Sequence, residues 1–182
     1  VVIMPTAFGN GLVSAWKGFA ELEDIGFTRG RPAMWAAQPE NCGPIARAFD
    51  SGASVVEPVR GEPTVASSIA VGNPVIGGRR VLKVGRESGG GAVAASEELI
   101  LEAQALLAKM EGLFVEPSGA AGMAGLMRLL SEGRVFGDQS VVISITGEGL
   151  NQPDALDAWA PEPHEVPPDL GSLKQLLARV GR

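Results

Sequence analysis

Short apolar runs alternate with longer stretches of helical spacing along the first 150 residues, and this alternation restricts the fold more than any other feature. Strands that are apolar on both faces need helices on both sides, which favours a mainly parallel sheet over a sandwich or a bundle. Val1 to Met4 reads as a buried strand, and Leu12 to Asp24 as a helix in which Leu12, Ala15, Trp16, Phe19 and Leu22 recur at helical spacing, closed by Gly26. Ala33 to Gln38 is the next strand, followed by a helix that Asn41 caps and that runs to Asp50 and stops at Gly52. Thr64 to Val71 is expected to be a short helix capped by Thr64, and Gly78 to Glu87 another. GGGAVAAS supplies a glycine turn and a strand. Ser96 caps the clearest helix, which carries acidic residues in its first turn and ends at Lys109 and Gly112. LFVE is predicted as a brief strand, Pro117 to Gly133 as a helix, and QSVVISITGEGL as a strand that runs into a Thr-Gly-x-Gly turn. The expected fold class is α/β, a mainly parallel open sheet flanked by helices. After Leu150 the composition shifts toward Pro, Asp and Glu, so Asn151 to Leu170 is expected to be an extended, mobile linker, with Ser172 to Val180 a terminal helix. The chain thus divides into residues 1–150 and 151–182.

A net charge of −6 without any basic cluster argues against nucleic acid or an anionic membrane as the main partner. The single cysteine, Cys42, leaves no internal disulfide, and with one histidine, His164, there are too few soft ligands for a structural zinc site, so no metal is expected. No apolar stretch approaches the roughly 20 residues that cross a bilayer, and the expected setting is a reducing cytoplasm. Twenty-five glycines against 5% aromatic residues point to binding by the backbone more than by large side chains.

Three loops fall at predicted strand ends: Thr6 to Gly11 (TAFGNG), Glu116 to Gly122 (EPSGAAG) and Thr146 to Gly149 (TGEG). In open parallel sheets ligands lie outside the carboxyl ends of the strands, so such loops converge even when they are far apart in sequence. The first suits an anion: Gly9 and Gly11 allow close backbone approach, Asn10 offers an amide, and the following helix turns free N–H groups outward. It matches neither the Walker pattern nor the G-x-G-x-x-G spacing, so the residues alone allow either a phosphate cradle or a tight structural turn. Thr146 either presents its hydroxyl to a ligand or stabilises its turn. Glu116 and Ser118 have equally plain alternatives as residues of a helix N-terminus. Cys42 is read as a small core residue and His164 as solvated; no hydrolase triad assembles.

Six blocks carry a resemblance: MPTAFGNGLVSAWKGFAEL, AAQPENCGPIARAF, PTVASSIAVGNP, VGRESGGGAVAAS, LFVEPSGAAGMAGL and VVISITGEGL. In this order they resemble the later half of threonine synthase and its relatives among the fold-type II pyridoxal-phosphate enzymes, from Val1 to about Leu150. The resemblance implies that these residues form the larger part of such an enzyme's large domain, and that the cofactor is pyridoxal 5'-phosphate. It further implies that Ala7, Phe8, Gly9, Asn10 and Gly11 hold the cofactor phosphate and that the hydroxyl of Thr146 meets the pyridine nitrogen. Glu116 and Ser118 match a family stretch close to the cofactor. The implied substrate is a small amino acid, O-phosphohomoserine for threonine synthase itself, with dehydration of serine or threonine and cysteine-forming replacement as the alternatives within the family, and a non-catalytic α/β module as the alternative outside it. Family members carry the cofactor on a lysine in a Ser-x-Lys-like segment well before the phosphate loop. Lys17, Lys83, Lys109 and Lys174 stand in other contexts, so these 182 residues alone are not expected to complete a reaction. Because Val1 opens on a strand of interior character, the chain is expected to be the later part of something larger. It is also expected to pair, as a homodimer or with a complementary N-terminal piece, since a sheet cut before its first strands leaves an edge and apolar faces open.

Overall fold

A computed structural model describes residues 1–135 and 137–180. Its centre is a four-stranded sheet made of β1 (Val2–Pro5), β2 (Met34–Pro39), β3 (Gly91–Ala95) and β4 (Val142–Ile143), in the order β3-β2-β1-β4 with every pairing parallel. The helices are α1 (Asn10–Asp24), α2 (Pro44–Asp50), α3 (Val75–Glu87), α4 (Glu97–Glu111), α5 (Pro117–Ser131) and α6 (Leu170–Val180). The α/β class and the parallel sheet flanked by helices are as the sequence rhythm requires.

Side chains alternate along the strands and so divide the core into two faces. Val2, Met34, Ala36 and Ala92 pack with Leu12, Ile45, Val81 and Leu82 under α1, α2 and α3. Ile3, Trp35, Ala37 and Val93 pack on the opposite face with Leu129 of α5. A second layer on that side joins α4 to α5 through Ile100, Ala103, Leu107, Ala120 and Ala124. The small residues of α5 set its distance from the sheet. A β-carbon at Gly125 would lie 3.0 Å from Ala37 Cβ and 3.1 Å from Val93 Cγ1, and one at Gly122 would lie 2.8 Å from Ile143 Cγ2 and 3.3 Å from Pro5 Cδ. The helix therefore sits directly over β1 and its neighbours.

Several elements differ from the sequence reading, and each difference has a local cause. Asn41 does not cap α2; Glu40–Cys42 forms a 3-10 turn, and the buried Gln38 Oε1 accepts from the backbone N–H groups of Ile45 (2.9 Å) and Ala46 (3.2 Å). Thr64 to Val71 holds only one 3-10 turn, Ser67–Ile69, because Thr64 Oγ1 and the Val65 N–H donate to the carboxylate of Glu97 at the start of α4. LFVE is not a sheet strand. Val115 makes one isolated antiparallel bridge to Glu148, its carbonyl accepts from Gln104 Nε2 at 2.7 Å, and the Glu116 N–H donates to the Gly147 carbonyl.

The stretch expected to be a mobile linker from Asn151 begins instead with 3-10 turns at Gly149–Asn151 and Pro153–Ala158. Ala155 is buried, and Trp159 Nε1 donates to Gln104 Oε1 at 2.9 Å, so the segment is fastened to α4 through its indole. From Pro161 to Pro168 no regular element forms, and α6 follows with no buried residue. No helix among the described residues is long and apolar enough to cross a membrane.

Candidate cofactor crevice

β1 connects on one side to β2 and has β4 on the other, so the chain order reverses between β1 and β4. Crevices at such points, beyond the carboxyl ends of the strands, are where open parallel sheets hold ligands. Val2 pairs with Val142 and Ile3 with Ile143, and the Ser144 N–H donates to the Ile3 carbonyl at 3.0 Å. The loops that begin at Thr6 and Ser144 therefore leave the same end of the sheet from neighbouring strands. α5, packed over Pro5 and Ile143 through Gly122, brings its own N-terminus to that end.

The first loop is anchored from below. Thr6 is buried; its N–H donates to the Ala37 carbonyl (2.8 Å), its hydroxyl to the Met4 carbonyl (2.9 Å), and its carbonyl accepts from Gln38 Nε2 (3.1 Å). Ala7 packs into the α4–α5 core layer, while the Phe8 side chain is 51% exposed. Gly9 then turns the chain with φ +92°, a conformation that favours glycine, and packs against Val81. α1 starts at Asn10, its first helical bond running from the Val13 N–H to the Gly9 carbonyl at 3.1 Å. The earlier N–H groups thus lie outside the helical ladder, no side chain caps them, and the first turn carries no acid. Asn10 and Gly11 are exposed. α2 and α4 are different: Gln38 occupies the N-terminus of the first, and Ser96 Oγ accepts from the Leu99 N–H in the second.

The second loop presses against α5. A β-carbon at Gly119 would collide with the Thr146 carbonyl, and one at Gly147, whose φ is +69°, would collide with the Glu116 carboxylate. Thr146 is exposed at this junction. Glu116 and Ser118 are buried, and each makes a polar contact within the protein: Glu116 Oε2 accepts from Asn151 Nδ2 (3.5 Å) and Ser118 Oγ accepts from the Ser68 N–H (3.1 Å). The structure thus gathers all the sequence-derived site residues at one end of the sheet, Ala7 to Gly11 and Thr146 on adjacent loops and Glu116 and Ser118 beneath them. Sequence reasoning missed Gln38, which fixes the base of the first loop, and Glu97, which fixes the Thr64–Ile69 loop beside it. Gln38 gave one signal, an amide at the end of an apolar strand. Cys42 is buried, and burial raises its thiol pKa despite nearby Arg47, which suits the core role read from sequence. A cavity of about 540 Å³ lies on the outer face of α3 between Ser54, Arg79, Arg80, Lys83 and Arg86, a local basic cluster where the sequence reading expected none, and shares no residue with these loops.

The family model described as pyridoxal-phosphate dependent enzyme matches residues 1–147. The chain belongs to that family. Among curated relatives of this pyridoxal-phosphate family member, threonine synthase of Methanocaldococcus jannaschii is 39% identical over 98% of this chain and 44% of its own length. Threonine synthase of Mycobacterium tuberculosis is 32% identical over 91% of this chain and 44% of its own length. The chain spans less than half the length of either relative. Among solved structures, threonine synthase from Escherichia coli superposes with a TM-score of 0.59 at 18% identity, covering 98% of this chain and 43% of that one. Maize serine racemase gives 0.62 at 18% identity over 98% of this chain and 46% of its own. These likenesses show the fold-type II architecture.

Proposed function

We propose that this chain supplies the phosphate cradle and the ring-nitrogen contact of a pyridoxal-phosphate enzyme of the threonine synthase kind, acting on O-phosphohomoserine. The observation that carries this reading is the N-terminus of α1, turned by Gly9 at the strand-order reversal, with its first N–H groups uncapped and Asn10 and Gly11 exposed. Such an end offers unpaired N–H groups and the positive end of the helix dipole to an anion. The residues fit the cofactor. Ala7 to Gly11 form a cradle whose turn needs glycine at position 9, and Thr146 lies exposed on the neighbouring loop. When bound, pyridoxal phosphate withdraws electrons from an amino-acid substrate and so permits replacement or elimination at its β or γ carbon.

Each residue then has a defined task. The loop N–H groups and the Asn10 side chain would hold the phosphate, and the Thr146 hydroxyl would hydrogen-bond the pyridine nitrogen. A hydroxyl is neutral there, so it orients the ring without requiring the nitrogen to be protonated, as an aspartate would. Glu116 and Ser118 support the loops from below through Asn151 and Ser68.

Titration of the chain with pyridoxal phosphate, followed by the cofactor's absorbance and by tryptophan quenching, tests the reading. Saturable binding that inorganic phosphate displaces is expected, with pyridoxal lacking the phosphate binding at least tenfold more weakly. Equal affinity for the two, or binding untouched by phosphate, would refute it.

A further inference from the structure

The Thr64–Ile69 loop packs as a wall behind the first loop, since Ala66 and Ile69 share a buried cluster with Ala7. Short of helix and sheet, this wall is held at two points by side chains from elsewhere. At one end Glu97 Oε2, on the first residue of α4, accepts from Thr64 Oγ1 at 3.0 Å and from the Val65 N–H at 2.7 Å. At the other, Ser118 Oγ of α5 accepts from the Ser68 N–H at 3.1 Å. Glu97 Oε1 is itself buried and has no hydrogen-bond partner among the described residues. A carboxylate kept in that state performs a task that a surface acid at a helix start does not, since a buried oxygen without a partner is unfavourable unless the other oxygen repays it.

We propose that Glu97 is a positioning residue of the crevice: its carboxylate fixes the Thr64–Ile69 wall, and through that wall the placement of Ala7 against the cofactor. The inference rests on the function proposed above for its cofactor arm and is independent of it for its structural arm. Charge-assisted bonds of this kind make the Glu97 anchor the stronger of the two. Both anchors hold one short loop, so the proposal requires that they are coupled, and any such coupling is reciprocal: loosening either end loosens the other.

The test measures hydrogen exchange at the Val65 and Ser68 amides, together with pyridoxal-phosphate affinity, in the whole chain and in Glu97→Ala, Glu97→Gln, Thr64→Val and Ser118→Ala. Glu97→Ala is expected to speed exchange about tenfold or more at Val65 and also at Ser68, whose own acceptor is intact. Ser118→Ala is expected to speed Val65 in return. Glu97→Gln, which keeps an acceptor, and Thr64→Val, which keeps the Val65 bond, fall between these and wild type and maintain the test if Glu97→Ala fails to fold. Pyridoxal phosphate should bind about tenfold more weakly to Glu97→Ala and recover most of its affinity in Glu97→Gln. Exchange at Val65 that rises without any change at Ser68 would overturn the coupling, and unaltered cofactor affinity in a variant with both amides freed would overturn the positioning role. If the wild-type chain binds no cofactor, the proposed function fails, and the Val65–Ser68 coupling alone decides whether Glu97 positions the wall.

Discussion

Replacing Gly9 by alanine separates two contributions that the structure assigns to one residue. At φ +92° an L-residue is unfavourable by about 1–2 kcal/mol, whatever surrounds it. The new β-carbon would also stand 2.2 Å from Val81 Cγ2, a collision that overpacked cores relieve at about 1–3 kcal/mol. Gly9→Ala is therefore expected to lose about 2–5 kcal/mol, a large share of the roughly 5–15 kcal/mol that holds a domain folded. Val81→Ala removes the colliding methyl and alone loses about 2 kcal/mol of burial and cavity energy. In the double variant the added methyl enters the vacated space, so the combined loss should be about 2–3 kcal/mol below the sum of the singles. The backbone term survives, because Val81 has no influence on φ at position 9. Urea denaturation of the four proteins, with pyridoxal-phosphate titration of each, reads both terms. The double variant should therefore lose about 2–4 kcal/mol, little more than Gly9→Ala alone despite the second truncation, while phosphate-dependent binding stays weak. Additive losses, or a Gly9→Ala variant within about 0.5 kcal/mol of wild type, would refute the geometry of the loop. Rescued binding would show that the collision, and not the glycine conformation, shapes the cradle.

Gln38→Leu keeps the volume of a fully buried side chain but strands the Thr6 carbonyl and the Ile45 and Ala46 N–H groups, so a loss of roughly 3–6 kcal/mol is expected. Urea midpoints measure it, and a loss below about 1 kcal/mol would mean that water or a shifted backbone replaces the amide. Glu132 accepts from Arg128 Nε at 2.8 Å, and this bond, with the nearby Arg134, holds its carboxyl below the ordinary value of 4.5 despite partial burial. A depressed carboxyl contributes stability that is present above its unfolded value and lost as pH falls through the folded one. The pair is one-third exposed, so the advantage of wild type over Glu132→Gln should be under about 1 kcal/mol near neutral pH and should fade as pH drops below the ordinary carboxyl range. An advantage that grew on acidification would contradict the assignment.

Element order and the parallel sheet were legible because short continuous apolar runs, covered on both faces, and 3.6-residue spacing report burial directly, as in Val2–Pro5, Met34–Pro39 and α1. Misread segments were those whose backbone partners are side chains far away in sequence. Asn41 looked like a cap, yet Gln38 takes the first N–H groups of α2, and Thr64 looked like a helix start until Glu97, 33 residues later, drew it out of helix. LFVE and the stretch after Asn151 failed in the same way, since Gln104 binds the Val115 carbonyl on one side and the Trp159 indole on the other. Apolar periodicity has no term for a buried amide or carboxylate that joins two loops, because those residues are rated by average exposure, and their burial is stable only once both partners are present. The crevice follows the same logic. Glycine content alone left Ala7 to Gly11 open between a structural turn and an anion cradle, and these alternatives differ in one respect, whether the protein itself occupies the N–H groups. Gln38 and Ser96 close the N-termini of α2 and α4 from within, and no side chain does so for α1. The support for the cradle is therefore positional: uncapped N–H groups at exposed Asn10 and Gly11 leave the same end of the sheet as exposed Thr146, a juxtaposition that no single segment of sequence contains.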